Sequence, residues 1–195
     1  INYRREADEA QKVVEEIRAL GRRAEAYAAS VDDFAACAQM VESIAADFGG
    51  LSILVNNAGI ASRGQSVADT DPADMERVMR VHAFAPHYMS KCALPHLRKH
   101  ARSDIVMISS VATLTHGANG APYNMGKAAM EALGLTLAKE EQKNGVRVNI
   151  VAPSLTVSDM GERLAKAVTG VADIHELDAQ FPFGRVSVPG DVAAA

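Results

Sequence analysis

Helical and strand-like patterns of apolar residues alternate along this chain. Helices are predicted over five stretches: residues 6–20, 32–48, 71–100, 122–143 and 158–180. Short β-branched or alternating apolar runs predict strands at residues 23–29, 51–55, 104–108 and 146–152, and residues 1–5 look like the end of another strand. Because strands and helices alternate, the pattern predicts an α/β fold with a parallel sheet covered by helices on both faces.

Capping residues and prolines set the predicted boundaries of these helices. Asp32 or Asp33 is expected to cap the second helix, because a short acidic side chain can accept the free N–H groups of a first turn. Pro122 suits the first turn of the helix that follows it. Pro86 and Pro95 predict irregularities within residues 71–100, since proline lacks the N–H that a helix interior uses.

Composition and charge indicate one domain, residues 1–195. A hydrophobic content of 48% in 195 residues supports a single sizeable core, and a net charge of −4 with mixed signs does not suggest nucleic-acid or membrane binding. No apolar run approaches the length of a membrane span and no signal peptide is visible, so we expect a cytoplasmic protein with Cys37 and Cys92 as free thiols. His96 and His100 lack a third ligand nearby, so we predict no metal site and a solvated helix face.

The candidate chemistry lies between Ser109 and Lys127. Tyr123 and Lys127 are one turn apart on one face of a predicted helix, and Ser110 stands at the carboxyl end of the preceding strand, where open parallel sheets bind ligands. A tyrosine pKa of about 10 is too high for acid–base work near neutrality, but a neighbouring ammonium lowers it. A serine hydroxyl can hold the reacting oxygen. These residues therefore indicate proton transfer to or from an alcohol or carbonyl oxygen.

At these residues the chain resembles the short-chain dehydrogenase/reductase family, of the type that includes the 3-oxoacyl-acyl-carrier-protein reductases. The family signature, a Ser followed by Tyr-x-x-x-Lys, is present as Ser110, Tyr123 and Lys127. Three further sequence segments that resemble motifs of the family stand in the family's order along the chain: residues 56–59, 146–153 and 183–193. The resemblance covers essentially the whole chain and implies a single domain with a Rossmann-like doubly wound parallel sheet in three α/β/α layers.

The resemblance also implies an activity and a role for each signature residue. The enzyme would interconvert a ketone and a secondary alcohol by hydride transfer with a nicotinamide cofactor. Tyr123 would donate or accept the oxygen's proton, Lys127 would lower the tyrosine pKa and hold the cofactor ribose, and Ser110 would steady the substrate oxygen. Residues 154–182 would form a lid over a small-molecule substrate. Family members are typically tetramers or dimers, so a homo-oligomer is expected.

NADP(H) is the predicted cofactor in preference to NAD(H). Family members that prefer NAD often place an acid at the end of the second strand, where this chain has Tyr3, Arg4 and Arg5. Two guanidiniums can grip a 2′-phosphate in fork geometry, although arginines solvated at a helix start are the alternative. Ser30 and Val31 fall where the family usually has Asp-Val beside the adenine.

The resemblance places further cofactor contacts after two other strands. Asn57, Ala58 and Gly59 correspond to the segment whose backbone passes close under the cofactor, for which glycine is suited. Ser154 stands at a usual Gly position, and Ser158 at the usual Thr position near the nicotinamide amide. The cofactor residues implied after the strand at 146–152 are Pro153, Ser154, Thr156 and Ser158.

His82 is the main departure from the family pattern within the predicted site. Many family members carry an Asn there that supports a water joining the lysine to bulk solvent. His82 can offer its backbone carbonyl to that water, relay protons through its imidazole, or simply pack or face solvent. We include His82 among the candidate catalytic residues with Ser110, Tyr123 and Lys127.

The glycine-rich turn that holds the cofactor pyrophosphate in this family is not found in the 195 residues. We expect the first family strand, that turn and the first helix to precede Ile1, and a last strand to follow Ala195. Two other functions stay open: a non-catalytic scaffold or ligand sensor with the same fold, and an epimerase or dehydratase that shares Tyr-x-x-x-Lys. The sequence contains no readable code for the identity of the substrate.

Overall fold

The computed structural model describes residues 1–195 as parallel strands connected by helices. The strands are β1 (Asn2–Tyr3), β2 (Tyr27–Ala28), β3 (Ile53–Asn56), β4 (Ser103–Ile108) and β5 (Val146–Val151). The α-helices are α1 (Ala7–Ala19), α2 (Phe34–Phe48), α3 (Pro72–Met79), α4 (Ala85–Leu97), α5 (Ala112–Thr115), α6 (Ala121–Glu141), α7 (Asp159–Thr169) and α8 (Pro189–Ala194). The predicted α/β class is confirmed, and no helix combines the length and apolar character that crossing a bilayer requires.

The strands form two separate parallel sheets, whereas the sequence predicts one. One sheet has the order β3-β4-β5, and β1 pairs with β2 in the other. Of the strand predicted at 23–29, only β2 forms. Its partner β1 is short, and the N–H groups of this segment that donate to the chain around β1 are those of Tyr27 and Ala29. The carbonyl of Ala24, in the preceding stretch, instead accepts a bond from Arg18.

The main core lies between the β3-β4-β5 sheet and the helices α2, α4 and α6. Alternate strand residues point into it, as Leu54, Ile105 and Met107 do, which is the two-residue period expected of a sheet. Side chains of the opposite sheet face, such as Ile53 and Val55, stay about half exposed and lie near α8. The core helices also carry the two cysteines, both free thiols, of which Cys37 is buried and Cys92 half-buried.

The stretch predicted as one long helix over 71–100 is interrupted by a π-helical segment, Arg80–Phe84. Within this wider turn the N–H of Ala85 donates to the carbonyl of Arg80, five residues back. Pro86 follows directly and offers no N–H to the carbonyl of His82, so the break lies where the sequence predicts an irregularity. The second predicted irregularity is wrong, because Pro95 stays inside α4.

The segment after β5 has a small core of its own. Ala165, Ile174, Leu177 and Val186 are buried against one another, apart from the main core. The predicted helix over 158–180 splits into α7 and a 3₁₀ helix, because Gly170 takes a left-handed φ of 77° and ends α7.

Glu141 at the end of α6 is only 2% exposed and joins α6 to the end of α4. Its carboxylate accepts bonds from Arg98 Nε at 2.8 Å and Arg98 Nη2 at 2.5 Å, and from Asn144 at 2.9 Å. These charge-assisted bonds fix two helices of the main core to one another.

Glu141→Ala is therefore expected to lower the free energy of unfolding by about 2 kcal/mol near neutral pH. The Arg98 bonds hold the pKa of Glu141 below its ordinary value of 4.5, so this stabilisation is present above that value and is lost as the pH falls through the lowered pKa. Urea denaturation near neutrality and in acid measures both effects. Glu140→Ala, at an exposed position of the same helix, is the matched control. Equal unfolding free energies of the two variants near neutrality would contradict the prediction.

Candidate active site

The carboxyl ends of β3 and β4 and the first turns of α6 meet at one edge of the three-stranded sheet. Ser110 comes two residues after β4, and α6 begins at Ala121 with proline in its first turn. The helix predicted from Pro122 is thus confirmed. Tyr123 and Lys127 lie on the face of α6 that turns toward the end of β4, where the Lys127 ammonium bonds the carbonyl of Ile108.

Ser110 lies near Tyr123, close enough to act on the pKa of its phenol. The Ser110 hydroxyl oxygen accepts the N–H of Ala112 at 3.2 Å, which leaves its own proton free to be donated. Burial raises the pKa of Tyr123, and a hydrogen bond from Ser110 acts in the opposite direction.

Lys127 is a buried ammonium beside Tyr123. The residue is 3% exposed, and its Nζ donates to the carbonyl oxygen of Ile108 at 2.6 Å and lies 5.8 Å from the centre of the Tyr123 ring. Burial lowers the pKa of Lys127 to about 8, against an opposing influence of Glu131. Its other two N–H groups have no protein partner, so they are available to a bound molecule.

His82 is fully buried, so the alternative in which it faces solvent is wrong. Its Nε2 lies 2.7 Å from the carbonyl oxygen of Ile60, and its ring meets the ring of Tyr123 edge-on with 5.1 Å between centroids. Burial, followed by the positive charge of Lys127, lowers the pKa of His82 to about 4, so the ring is neutral near pH 7. Nε2 also lies 3.2 Å from the N–H of Ile60, but the shorter contact with the Ile60 carbonyl favours the tautomer in which Nε2 carries the proton. Nδ1 is then a buried acceptor without a partner.

Two glycines make room for the His82 ring. A Cβ on Gly126 would come within 2.7 Å of the Cβ of His82, and a Cβ on Gly59 within 3.0 Å of its Cε1. The loop after β3 and the first turns of α6 therefore close on the histidine from two sides. Gly59 is a predicted cofactor residue, whereas Gly126 is not predicted from the sequence.

Five residues are predicted to contact the adenine side of a cofactor. They lie close together at the ends of β1 and β2. Tyr3 ends β1, and Arg4 and Arg5 follow it as exposed side chains that take part in no hydrogen bond or ion pair. Because β1 and β2 are parallel neighbours, Ser30 and Val31 lie at the same edge. Ser30 donates its hydroxyl proton to the carboxylate of Asp32.

The remaining predicted cofactor residues follow β3 and β5. Asn57 and Ala58 are exposed beside Gly59, at the end of β3. After β5 come Pro153, Ser154, Thr156 and Ser158, and three of these hydroxyls already have protein partners. Ser158 caps α7, because its Oγ accepts the N–H of Gly161 at 3.1 Å and donates to the carbonyl of Thr156.

Glu131 is part of this region, although it is not among the residues predicted from the sequence. Its carboxylate accepts bonds from Ser109 and Thr113, which flank Ser110. The spacing of four residues from Lys127, which repeats that between Tyr123 and Lys127, is the sequence signal that could have identified it.

The histidines and acids of the chain form no group suited to a metal ion. The predicted solvated face is wrong for His96, which is buried and lies 3.0 Å from a carboxylate oxygen of Glu42, whereas His100 is exposed. This contact joins α2 to α4 and belongs to the packing of the main core.

The comparison with protein families gives one match over most of the chain. The model described as "short chain dehydrogenase" matches residues 1–169. The chain is 32% identical over 166 residues to a 3alpha-hydroxysteroid dehydrogenase of Mediterraneibacter gnavus, which covers 85% of this chain and 64% of that protein. The chain likewise spans 55% and 62% of the length of two other curated relatives.

Solved structures of similar fold contain either of the two nicotinamide cofactors. A short-chain dehydrogenase from Burkholderia cenocepacia in complex with NADP has a TM-score of 0.87 and 36% identity, over 100% of this chain and 76% of that one. An NAD⁺-bound xylitol dehydrogenase has a TM-score of 0.85 and 26% identity, over 95% of this chain and 77% of that one.

Gly126→Ala is expected to lower the free energy of unfolding by about 1–3 kcal/mol, because the new Cβ would overlap His82. Without that overlap, alanine in a helix interior would be the better residue by roughly 1 kcal/mol. Thermal or urea unfolding measures the sign directly. Gly117→Ala, where an added Cβ meets open space, is the control. A stabilised Gly126→Ala variant would show that His82 is not held as described.

Proposed function

Because the chain belongs to the short-chain dehydrogenase family, whose model matches residues 1–169, we propose that the protein is an oxidoreductase that interconverts a ketone and a secondary alcohol with NADP(H). The observation that carries this proposal is the buried Lys127 ammonium beside Tyr123, at the end of β4 that Ser110 follows. Its substrates are small carbonyl compounds and alcohols.

Tyr123 is the proposed proton donor and acceptor. During carbonyl reduction the phenol gives its proton to the substrate oxygen, and during alcohol oxidation the phenolate takes the proton back. Burial raises the pKa of Tyr123 above its ordinary value, and the hydrogen bond from Ser110 opposes this rise. The neighbouring ammonium of Lys127 is proposed to favour the phenolate during the reaction, because an opposite charge stabilises the ionised form.

Ser110 and Lys127 are the proposed partners of that proton transfer. The Ser110 hydroxyl accepts the N–H of Ala112, and its one proton, which is directed to Tyr123 in the free protein, is proposed to turn to the substrate oxygen when a substrate binds. The bond from Lys127 to the Ile108 carbonyl fixes the ammonium at the end of β4. As the pH rises through about 8, Lys127 loses its charge and with it the ability to favour the phenolate.

The residues of this crevice fit a nicotinamide cofactor. Lys127 has two unengaged N–H groups inside a buried site, which suits two ribose hydroxyls. Gly59 leaves the loop after β3 without a side chain beside His82, so the backbone of Asn57 and Ala58 can approach a flat ring closely. When bound, the cofactor supplies or accepts the hydride.

Preference for NADP(H) rests on Arg4 and Arg5. Both guanidiniums are exposed at the end of β1 and free of carboxylate partners, which suits a 2′-phosphate. Tyr3, Ser30 and Val31 are proposed to line the adenine side at the same edge. The NADP-bound relative from Burkholderia cenocepacia supports this preference, while the NAD⁺-bound xylitol dehydrogenase supports the other cofactor.

The segment 154–182 is proposed to cover the bound substrate. Ala165, Ile174 and Leu177 of this segment are buried in a small core apart from the main core, which supports movement as a unit over the crevice. Pro153, Ser154, Thr156 and Ser158 lie at its base and are proposed to border the nicotinamide. Because Ser158 already caps α7, any contact it makes with the cofactor also bears on where α7 starts.

His82 is proposed to act by position rather than as a proton relay. Its only ring proton is donated to Ile60, and its lowered pKa of about 4 keeps the ring from charging at neutral pH. The imidazole therefore joins the loop after β3 to the ring of Tyr123. Its backbone carbonyl, which Pro86 leaves without a helical donor, supports the water-binding alternative.

The setting of the protein is proposed as cytoplasmic and homo-oligomeric, either a tetramer or a dimer. The two free thiols support a reducing compartment. An exposed aromatic side chain before α4 supports contact between copies: the ring of Phe84 is about half exposed and stacks at 6.5 Å on Tyr88 of α4.

Tyr123→Phe is expected to abolish turnover and to leave NADPH affinity nearly unchanged, since only the transferred proton is removed. NADPH absorbance with a panel of ketones follows turnover, and NADPH fluorescence follows binding, both on the intact protein. Tyr88→Phe removes a hydroxyl that makes no hydrogen bond and is the control. Retained turnover would remove Tyr123 from its role. A wild type that binds NADPH and reduces no carbonyl would favour the non-catalytic scaffold.

Arg4→Ala combined with Arg5→Ala is expected to weaken NADPH binding about tenfold or more and to leave NADH binding unchanged. Parallel fluorescence titrations with the two cofactors measure the difference. Arg22→Ala, an exposed arginine without side-chain partners in the segment between α1 and β2, is the matched control. An equal loss for both cofactors, or no loss for NADPH, would refute phosphate recognition by these residues.

A further inference from the structure

Glu131 continues the row of chemical side chains on α6. Tyr123, Lys127 and Glu131 follow one another at intervals of four residues, so they lie on one face of the helix in successive turns. The first two belong to the proposed proton chemistry. The role of the third follows from what its carboxylate contacts.

The carboxylate of Glu131 holds the chain on both sides of Ser110. Its Oε1 accepts the hydroxyl of the buried Ser109 at 2.5 Å. The hydroxyl of Thr113 lies 2.9 Å from the same oxygen and 3.0 Å from the carbonyl of Ser110, so one proton serves two acceptors. These two contacts join the chain to α6 at one residue before Ser110 and at three residues after it. Helix α6 also carries Tyr123.

The charge of Glu131 acts on Lys127 as well. The titratable groups that face Lys127 are Tyr123 and Glu131 from α6 and His82 from the π-helical segment, while β4 presents the carbonyl of Ile108. Since His82 is neutral, Glu131 is the negative charge that counters the burial of the ammonium and raises the pKa of Lys127.

We propose that Glu131 is a positioning residue of the active site: its carboxylate holds the Ser110 segment against α6 and keeps Lys127 charged. The proposed hold on the Ser110 segment rests on the contacts of Glu131 with the hydroxyls of Ser109 and Thr113. The proposed effect on the charge of Lys127 rests on its spacing of one helical turn from Glu131. The inference rests on the proposed function for its effect on turnover, but the effect on the lysine is a property of the chain itself.

The first experiment measures the lysine without any substrate. In the intact protein, the ¹³C resonance of the Lys127 ε-carbon is assigned by its loss in Lys127→Arg and followed through a pH titration. Glu131→Gln keeps an oxygen for Ser109 and Thr113 but removes the charge, so we expect the pKa of Lys127 to fall by about one unit. Glu140→Gln removes a charge from an exposed position of the same helix and is expected to leave that pKa unchanged.

The second experiment measures the cofactor-loaded enzyme during alcohol oxidation. For Glu131→Gln the alkaline limb of the kcat profile is expected to move to lower pH in step with Lys127. Glu131→Ala also removes the acceptor of Ser109, so kcat is expected to fall by about tenfold or more, with the cofactor still bound.

The outcomes separate the two proposals. An unchanged lysine pKa in Glu131→Gln, or a loss of kcat in which the alkaline limb does not move, would overturn the positioning role and leave Glu131 a structural residue. If the wild type turns over no substrate, the proposed function fails, while the NMR titration still decides whether Glu131 sets the charge of Lys127.

Discussion

The burial of one ammonium, that of Lys127, is the constraint on which the site depends. A buried charge is costly unless it is compensated. Three groups compensate it here: the Ile108 carbonyl at the end of β4, the ring of Tyr123, and the carboxylate of Glu131. Strand β4, helix α6 and the segment around Ser110 must therefore stay in register with one another. The main core maintains this register, because Met107 of β4 and Met130 of α6 are both fully buried in it.

His82 shows how a change of one side chain is absorbed by its surroundings. An imidazole in the interior of this site requires space, which Gly59 and Gly126 leave, and a partner for its proton, which Ile60 provides. The helix is wider there and is followed by Pro86, so the carbonyl of His82 is also free of the usual helical bond. The same position thus combines a packed side chain with a carbonyl that lacks its α-helical donor, and these two features do not compete.

The sequence predicts the elements and the central residues of the site because both depend on local spacing. Residues four positions apart share a face of a helix, as Tyr123 and Lys127 do, and Ser110 follows a buried strand that is recognisable from its sequence. What depends on tertiary contact is not predicted: the division into two sheets, the short β2, the burial of His96 against Glu42, and the contact of Glu131 with residues about twenty positions away. The protonation of His82 likewise depends on a carbonyl from another loop.

The two halves of the candidate site lie on different sheets, and no strand pairing joins them. Arg4 and Arg5 follow β1, whereas Ser110, Tyr123 and Lys127 belong to the region around β4 and α6. The link between the sheets is packing: α2 follows β2 directly, and Cys37 and Val41 of α2 are buried with Leu97 of α4 and Ile105 of β4. Since packed interiors resist compression and transmit displacement, the distance between the arginines proposed to bind the 2′-phosphate and the residues proposed to transfer the proton is set by this helix interface. In the proposed function, the placement of the cofactor relative to the reacting groups therefore depends on apolar side chains that touch neither.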